Sequence, residues 1–291
     1  MDDPPGDGPL SDRAAADASG EPSLVPDGLD AALVLVRHGE SEFIVERRFQ
    51  GQAETPLSTV GLRQAERLAV RLAQPHASPA LPVPAGPPRE IVHSPLRRTS
   101  QTADAAAAAM AGDLAFGRSI PVRGERGFLE IGQGEWEGLH HSEIESRWGD
   151  VLATWRRRPL DAWAPGGESI VEVQARLRPA LGRVLATLAE SGVPGSLDRP
   201  QVSGYADPPA EQPWSIVVGH DGVFKVLLLT LFGLPLDHFW MWSFDLCGIS
   251  VVELRSGRPV LRALNLTEHL APLLDEQAKA ATEERQRSGA M

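Results

Sequence analysis

Ala31 to Val36 reads AALVLV, a short continuous apolar run that stops abruptly at Arg37 and His38. A strand buried on both faces of a sheet has this composition, whereas a strand with one wet face alternates. Two more segments read the same way: Glu90 to His93 as a brief second strand, and Ser215 to Val218 as a third buried one. Helices are expected between them. Ser58 can cap one in which Leu62, Ala65, Ala69 and Leu72 recur at helical spacing. Another leads from Ser94 through an Ala-rich stretch to about Ala111, and others are expected near 141–157, 168–190 and from the third strand to Phe232. Later strands are expected at Ile249 to Glu253 and Val260 to Ala263. This alternation predicts an α/β fold, a three-layer sandwich with a largely parallel central sheet flanked by helices.

The chain ends and linkers read differently. Residues 1–30 carry eight acidic side chains against Arg13 alone, so most of the formal net charge of -11 belongs to this stretch. Residues 1–28 are mostly Asp, Pro, Gly, Ala and Ser, too poor in large apolar groups to offset ordering entropy, and are expected to be a disordered acidic tail. A polar C-terminal tail is expected over 275–291, leaving one domain over 29–274. Within it, six prolines make Gln74 to Pro88 irregular, and Ser191 to Trp214, rich in Gly, Pro, Ser and Asp, is expected to be a long exposed insertion (191–214). The body offers no general attraction to nucleic acid or an anionic membrane. The most apolar stretch, Ile216 to Phe232, is interrupted by His220, Asp221 and Lys225, so no membrane span is expected. One cysteine, Cys247, excludes a disulfide scaffold, and the acidic start disfavours a secretory signal, so a cytoplasmic protein is expected.

Open parallel sheets bind ligands beyond the carboxyl ends of their strands. Just past the first apolar run stand Arg37, His38 and Gly39; past the second, Ser94 and then Arg98; past the third, Gly219 and His220. Each residue alone has a plain reading, a hydrogen-bonded histidine or an arginine on a solvated helix face. Together they put two imidazoles and two guanidiniums on one sheet edge, a combination suited to phosphoryl oxygens and an imidazole nucleophile. His140 and His141 lack the spacing of a zinc pair, HExxH and CxxC are absent, and no metal or other cofactor is expected. Trp136, Trp240 and Trp242 are expected to pack or anchor loops, and Arg156 to Arg158 to form a solvated helix end.

Val36 to Ser41, VRHGES, resembles the signature of the histidine phosphatase superfamily, the phosphoglycerate mutase-like family. The resemblance continues in order through RFQG (Arg48 to Gly51), PLS (Pro56 to Ser58), SPLRRTSQTA (Ser94 to Ala103), LEIGQGEWEG (Leu129 to Gly138), GGES (Gly166 to Ser169) and VVGHDGV (Val217 to Val223). It implies that His38 becomes phosphorylated, with Arg37, Arg98 and His220 around the phosphate, Glu130 as proton donor, and Arg48, Gln50 and Gly51 in the substrate loop. By composition alone Glu135, Glu137 or Glu168 would compete with Glu130. Two positions depart from the pattern: Ile44 and Leu246 stand where many relatives have Asn, and Ile44 cannot donate a phosphate hydrogen bond. The resemblance implies a metal-independent phosphatase acting on a small phosphorylated metabolite; recognition of its organic half is expected from a cap over about 135–168, with the 191–214 insertion as a second candidate. A mutase that returns the phosphoryl group and a binding module with a failed site are the alternatives; whether the chain forms a homodimer stays open.

Overall fold

The computed structural model describes residues 23–112, 115–191, 211–273 and 276. The strands are β1 (Ala31–Arg37), β2 (Ile91–His93), β3 (Val122–Gly124), β4 (Trp214–Gly219), β5 (Ile249–Arg255) and β6 (Arg258–Leu266). The α-helices are α1 (Glu42–Val45), α2 (Thr59–Ala73), α3 (Arg97–Met110), α4 (His141–Arg157), α5 (Ile170–Ser191) and α6 (Asp221–Leu231). The strands form one sheet in the order β3-β2-β4-β1-β5-β6. The pairs β3–β2, β2–β4 and β4–β1 are parallel, and β5 and β6 add an antiparallel hairpin at one side.

The uniform apolarity of β1 follows from two cores. Ala31, Leu33 and Leu35 point into a cluster with α5 and α6, while Ala32, Val34 and Val36 point into a second cluster with α2 and α3. Successive side chains of a strand face opposite sides, so both phases must be apolar when both faces are covered. Helices on either side of the sheet give the expected three layers. A third, smaller cluster of Trp136, Ile144, Leu152 and Ala164 holds α4 and the segment around it.

Several boundaries differ from the sequence reading. β3 was not expected; it is a three-residue edge strand whose residues are exposed or half-buried, so it carries no apolar pattern. β4 begins at Trp214, inside the expected insertion, because the buried indole donates to the Gly86 carbonyl at 2.7 Å. Residues 192–210 of that insertion lie outside the described residues, as do 1–22 of the acidic tail and nearly all of 275–291. Packing reaches back before residue 29, since Val25 is buried in the cluster with α5. α3 starts at Arg97 with Leu96 as its capping residue, so Ser94 does not cap it. Ser256 and Gly257, both with positive φ, make the tight turn between β5 and β6, as right-twisted hairpins require.

Register places the strand ends in a row. Arg37 lies opposite Gly219 and His93 opposite Val218. Past those pairs the His38 amide donates to the Gly219 carbonyl (3.1 Å) and the Ser94 amide to the Val218 carbonyl (3.0 Å). His38, Ser94 and His220 therefore leave three adjacent parallel strands at one level. Among the described residues no helix is long and apolar enough to cross a membrane.

Candidate active site

The two imidazoles face each other at 5.0 Å between ring centroids, inclined at 64°. Both are buried. His38 Nδ1 lies 2.6 Å from the Gly39 carbonyl, an acceptor only, so the ring proton sits at Nδ1 and the Nε2 lone pair is free. Burial holds the His38 pKa well below its ordinary value, and Arg98 and Arg37 push the same way, so the ring is neutral. His220 is lowered by the same causes, burial first and then Arg98, His38 and Arg37. Its Nε2 is 2.8 Å from Ser94 Oγ, and its Nδ1 is buried without a protein partner.

Arg98 stands in the first turn of α3 and is fully buried. Two of its nitrogens donate to the Ala53 (2.9 Å) and Gly51 (2.7 Å) carbonyls, which fixes the plane of the guanidinium. Burial lowers its pKa to about 10, which leaves it charged at neutral pH. Arg37 ends β1 and donates through Nη1 to the Phe244 carbonyl. The Nε atoms of Arg37 and Arg98 are buried and unpartnered, like His220 Nδ1. Buried donors normally find an acceptor, and each one left without is costly. Three buried nitrogens without a protein partner, on residues grouped around His38, are a set suited to meeting the oxygens of an anion.

Glu130 joins this group from the loop after the short 3-10 turn Arg126–Phe128. Its Oε1 accepts from the amides of Ile131 (2.8 Å) and Val223 (3.1 Å), and its Oε2 from Gly222 (3.2 Å). The carboxyl is thus seated on the first turn of α6, next to His220, which caps that helix. Lost hydration raises the Glu130 pKa and Asp221 adds to the rise; the amides and Arg98 oppose it without cancelling it. Of the competing carboxylates, Glu135 is exposed, and the other two are otherwise engaged. Glu168 pairs with Arg176 at 2.8 Å and accepts from Gly132, and its pKa falls despite partial burial because of Arg176. Glu137 accepts from the Gln52 and Gln133 amides. Gln52 and Arg176 also hold the Glu130 carbonyl, at 3.0 and 2.9 Å, so this network fixes the loop that carries Glu130.

The structure therefore brings Arg37, His38, Arg98, Glu130 and His220 together. Gly51 adjoins them through its bond to Arg98, and its positive φ (50°) and close neighbours leave no room for a side chain. Gln50 is held by the Ser41 hydroxyl at 2.6 Å. Arg48 is directed elsewhere: its guanidinium bonds Glu46 and the Gly138 carbonyl, both at 2.6 Å, tying the loop to the segment before α4. Ile44 is half-buried in α1, with its amide facing Ser41 Oγ at 3.4 Å. Leu246 is half-buried, and Cys247 is fully buried with its thiol pKa pushed up by burial, while its amide bonds the Arg37 and His38 carbonyls. Arg156 contacts His141, and Arg158 pairs with Asp161. The residue patterns did not single out Ser94 as the partner of His220, or Gln52 and Arg176 as the support of Glu130; only the position of Ser94 at a strand end signalled it.

The model of the histidine phosphatase superfamily (branch 1) matches residues 33–193 and 205–267. Phosphoserine phosphatase 1 of Hydrogenobacter thermophilus is 28% identical over 251 residues, covering 85% of this chain and 98% of the relative. Glucosyl-3-phosphoglycerate phosphatase of Mycolicibacterium vanbaalenii is 34% identical over 209 residues, covering 71% of this chain and 76% of the relative. Among solved structures, native mycobacterial glucosyl-3-phosphoglycerate phosphatase superposes with a TM-score of 0.63 at 26% identity, covering 82% of this chain and 100% of the other.

Proposed function

The chain belongs to the histidine phosphatase superfamily, and on that premise we propose that it hydrolyses phosphate monoesters of a small metabolite through a phosphohistidine at His38. The observation that carries the reading is the tautomer: His38 Nδ1 is tied to the Gly39 carbonyl, which leaves Nε2 as the nucleophile. Nε2 attacks phosphorus in line, the N–P bond forms, and the P–O bond to the alcohol breaks. Arg37, Arg98 and His220 Nδ1 donate to the equatorial oxygens, and with the Ser94 hydroxyl donating to Nε2 the His220 proton sits at Nδ1. Glu130, whose raised pKa favours the acid form, gives its proton to the leaving alkoxide. Water then attacks phospho-His38, Glu130 takes a proton from it, the N–P bond breaks, and inorganic phosphate leaves.

In this reading two guanidiniums supply the positive charge, with no metal ion needed. Residues 29–274 work as one unit, and the 135–168 segment, anchored through Trp136 and Arg48, forms the cap that sorts substrates. The two relatives are named for phosphoserine and glucosyl-3-phosphoglycerate, which supports a small phosphorylated metabolite as substrate and release of phosphate over isomerisation. We place the protein in the cytoplasm. Hydrolysis of p-nitrophenyl phosphate should survive chelator, and His38→Ala should reduce kcat by at least about 10³-fold. Unchanged turnover in that variant would reject the reading. Acid-labile phosphate on His38 after quenching would support it.

A further inference from the structure

Asp221 follows His220 and, beyond adding to the rise of the Glu130 pKa, has no part in the steps above, yet both of its carboxyl oxygens are committed. Oδ2 pairs with Lys225 Nζ one turn along α6 at 2.6 Å, and Oδ1 accepts from the Phe244 amide at 3.2 Å. The carbonyl of the same Phe244 accepts from Arg37 Nη1. We infer that Asp221, braced by Lys225, is the positioning residue that sets the Arg37 guanidinium for the phosphoryl group, acting through the backbone of Phe244. The inference rests on the proposed reaction at His38.

A plain helix ion pair does not account for this arrangement. Pairs at i,i+4 are ordinarily solvated and worth a few tenths of a kcal/mol. Lys225 is only 5% exposed, and its ammonium lies 4.8 Å from the ring centre of Trp240 and 5.3 Å from that of Phe239. Burying an ammonium costs more than such a pair returns unless its partner is fixed. A fixed Asp221 is what the Phe244 backbone requires, since Phe244 is 1% exposed and sits in an irregular stretch between Trp242 and β5. Arg37 has a buried, unpartnered Nε and depends on its bond to Phe244 for orientation. A misaimed guanidinium loses the geometry that makes a charged hydrogen bond strong.

A double-mutant cycle tests the inference in the full chain. Asp221→Ala/Lys225→Met removes both charges together, so that neither is stranded. Calorimetry then measures affinity for inorganic phosphate, and kcat and KM are measured separately with p-nitrophenyl phosphate, in wild-type and Arg37→Ala backgrounds. With Arg37 present, phosphate Kd and KM should each rise about tenfold and kcat should fall; without it, the same pair should change phosphate Kd by less than about twofold. Equal losses in both backgrounds, or none in either, would overturn the inference. Should the pair fail to fold, Asp221→Asn serves in its place: it keeps an acceptor for the Phe244 amide but releases Lys225, so a loss of about threefold confined to the Arg37 background is expected. A wild-type protein that binds phosphate but releases none from the ester counts against the hydrolase reading alone, and the cycle on phosphate affinity still decides the role of Asp221.

Discussion

Gly222 is a residue whose missing side chain is put to use. A Cβ there would lie 2.6 Å from Glu130 Oε1 and 2.8 Å from Ile131 Cδ1, so the carboxyl reaches the first turn of α6 only because position 222 is bare. Gly222→Ala should displace Glu130 from the Gly222 and Val223 amides and leave the nucleophile in place. The expected result is a fall in kcat of about 10²-fold for esters with poor leaving groups, and a much smaller fall for p-nitrophenyl phosphate, whose phenolate needs little protonation. Equal losses for the two esters would show that Glu130 is not the proton donor. Glu130 was also the least legible member of the site. Its chemistry is written in neighbours drawn from distant parts of the chain, while Glu135, Glu137 and Glu168 look equivalent along the sequence. Arg37 and His38 were legible because the apolar run before them stops so sharply.

Elements, more than single residues, decide where the Gly39 carbonyl points. The N-terminus of α2 packs directly on the loop after β1: the Ser58 hydroxyl accepts from the Gly61 amide (3.0 Å), as the sequence predicts for a capping serine, and lies 2.6 Å from Glu40 Oε1. A Cβ on Gly61 would fall 1.9 Å from the Glu40 carbonyl oxygen. Gly61→Ala should therefore push α2 off this loop, at a cost of about 1–3 kcal/mol, with a drop in Tm of several degrees. Because the moved loop carries the acceptor for His38 Nδ1, kcat should fall as well; a variant that melts early with full activity below its Tm would contradict this coupling. β1, β2 and β4 could be read from the sequence because strands covered on both faces must be apolar throughout. β3 could not: Val122, Arg123 and Gly124 sit at the sheet edge, and only pairing to β2 makes them a strand. The hairpin turn did leave a signal, Ser256-Gly257, which the strand patterns on either side concealed.

Across the whole molecule, the groups that make the site reactive also weaken the fold in acid. Burial lowers the pKa values of His38 and His220 well below 6.5 and that of His269 to about 4. Below pH 6.5 the unfolded chain takes up protons at these rings that the native chain refuses, so stability falls as pH drops. Glu130 acts in the opposite sense. Its native pKa is raised, so it favours the folded state most below the ordinary carboxyl range and loses that contribution as pH rises through its native value. Three rings outweigh one carboxyl, and urea denaturation should report lower stability at pH 5 than at pH 7. Equal or greater stability at pH 5 would contradict the buried neutral histidines.

Cys247 offers a probe of local opening. It is the sole thiol of the chain, wholly enclosed, and its amide clasps the carbonyls of both Arg37 and His38. A maleimide can reach the sulfur only after the structure around it opens. The rate at which the native protein is alkylated, with and without vanadate, therefore clocks how often the nucleophile's own strand breathes, and how far an oxyanion keeps it shut.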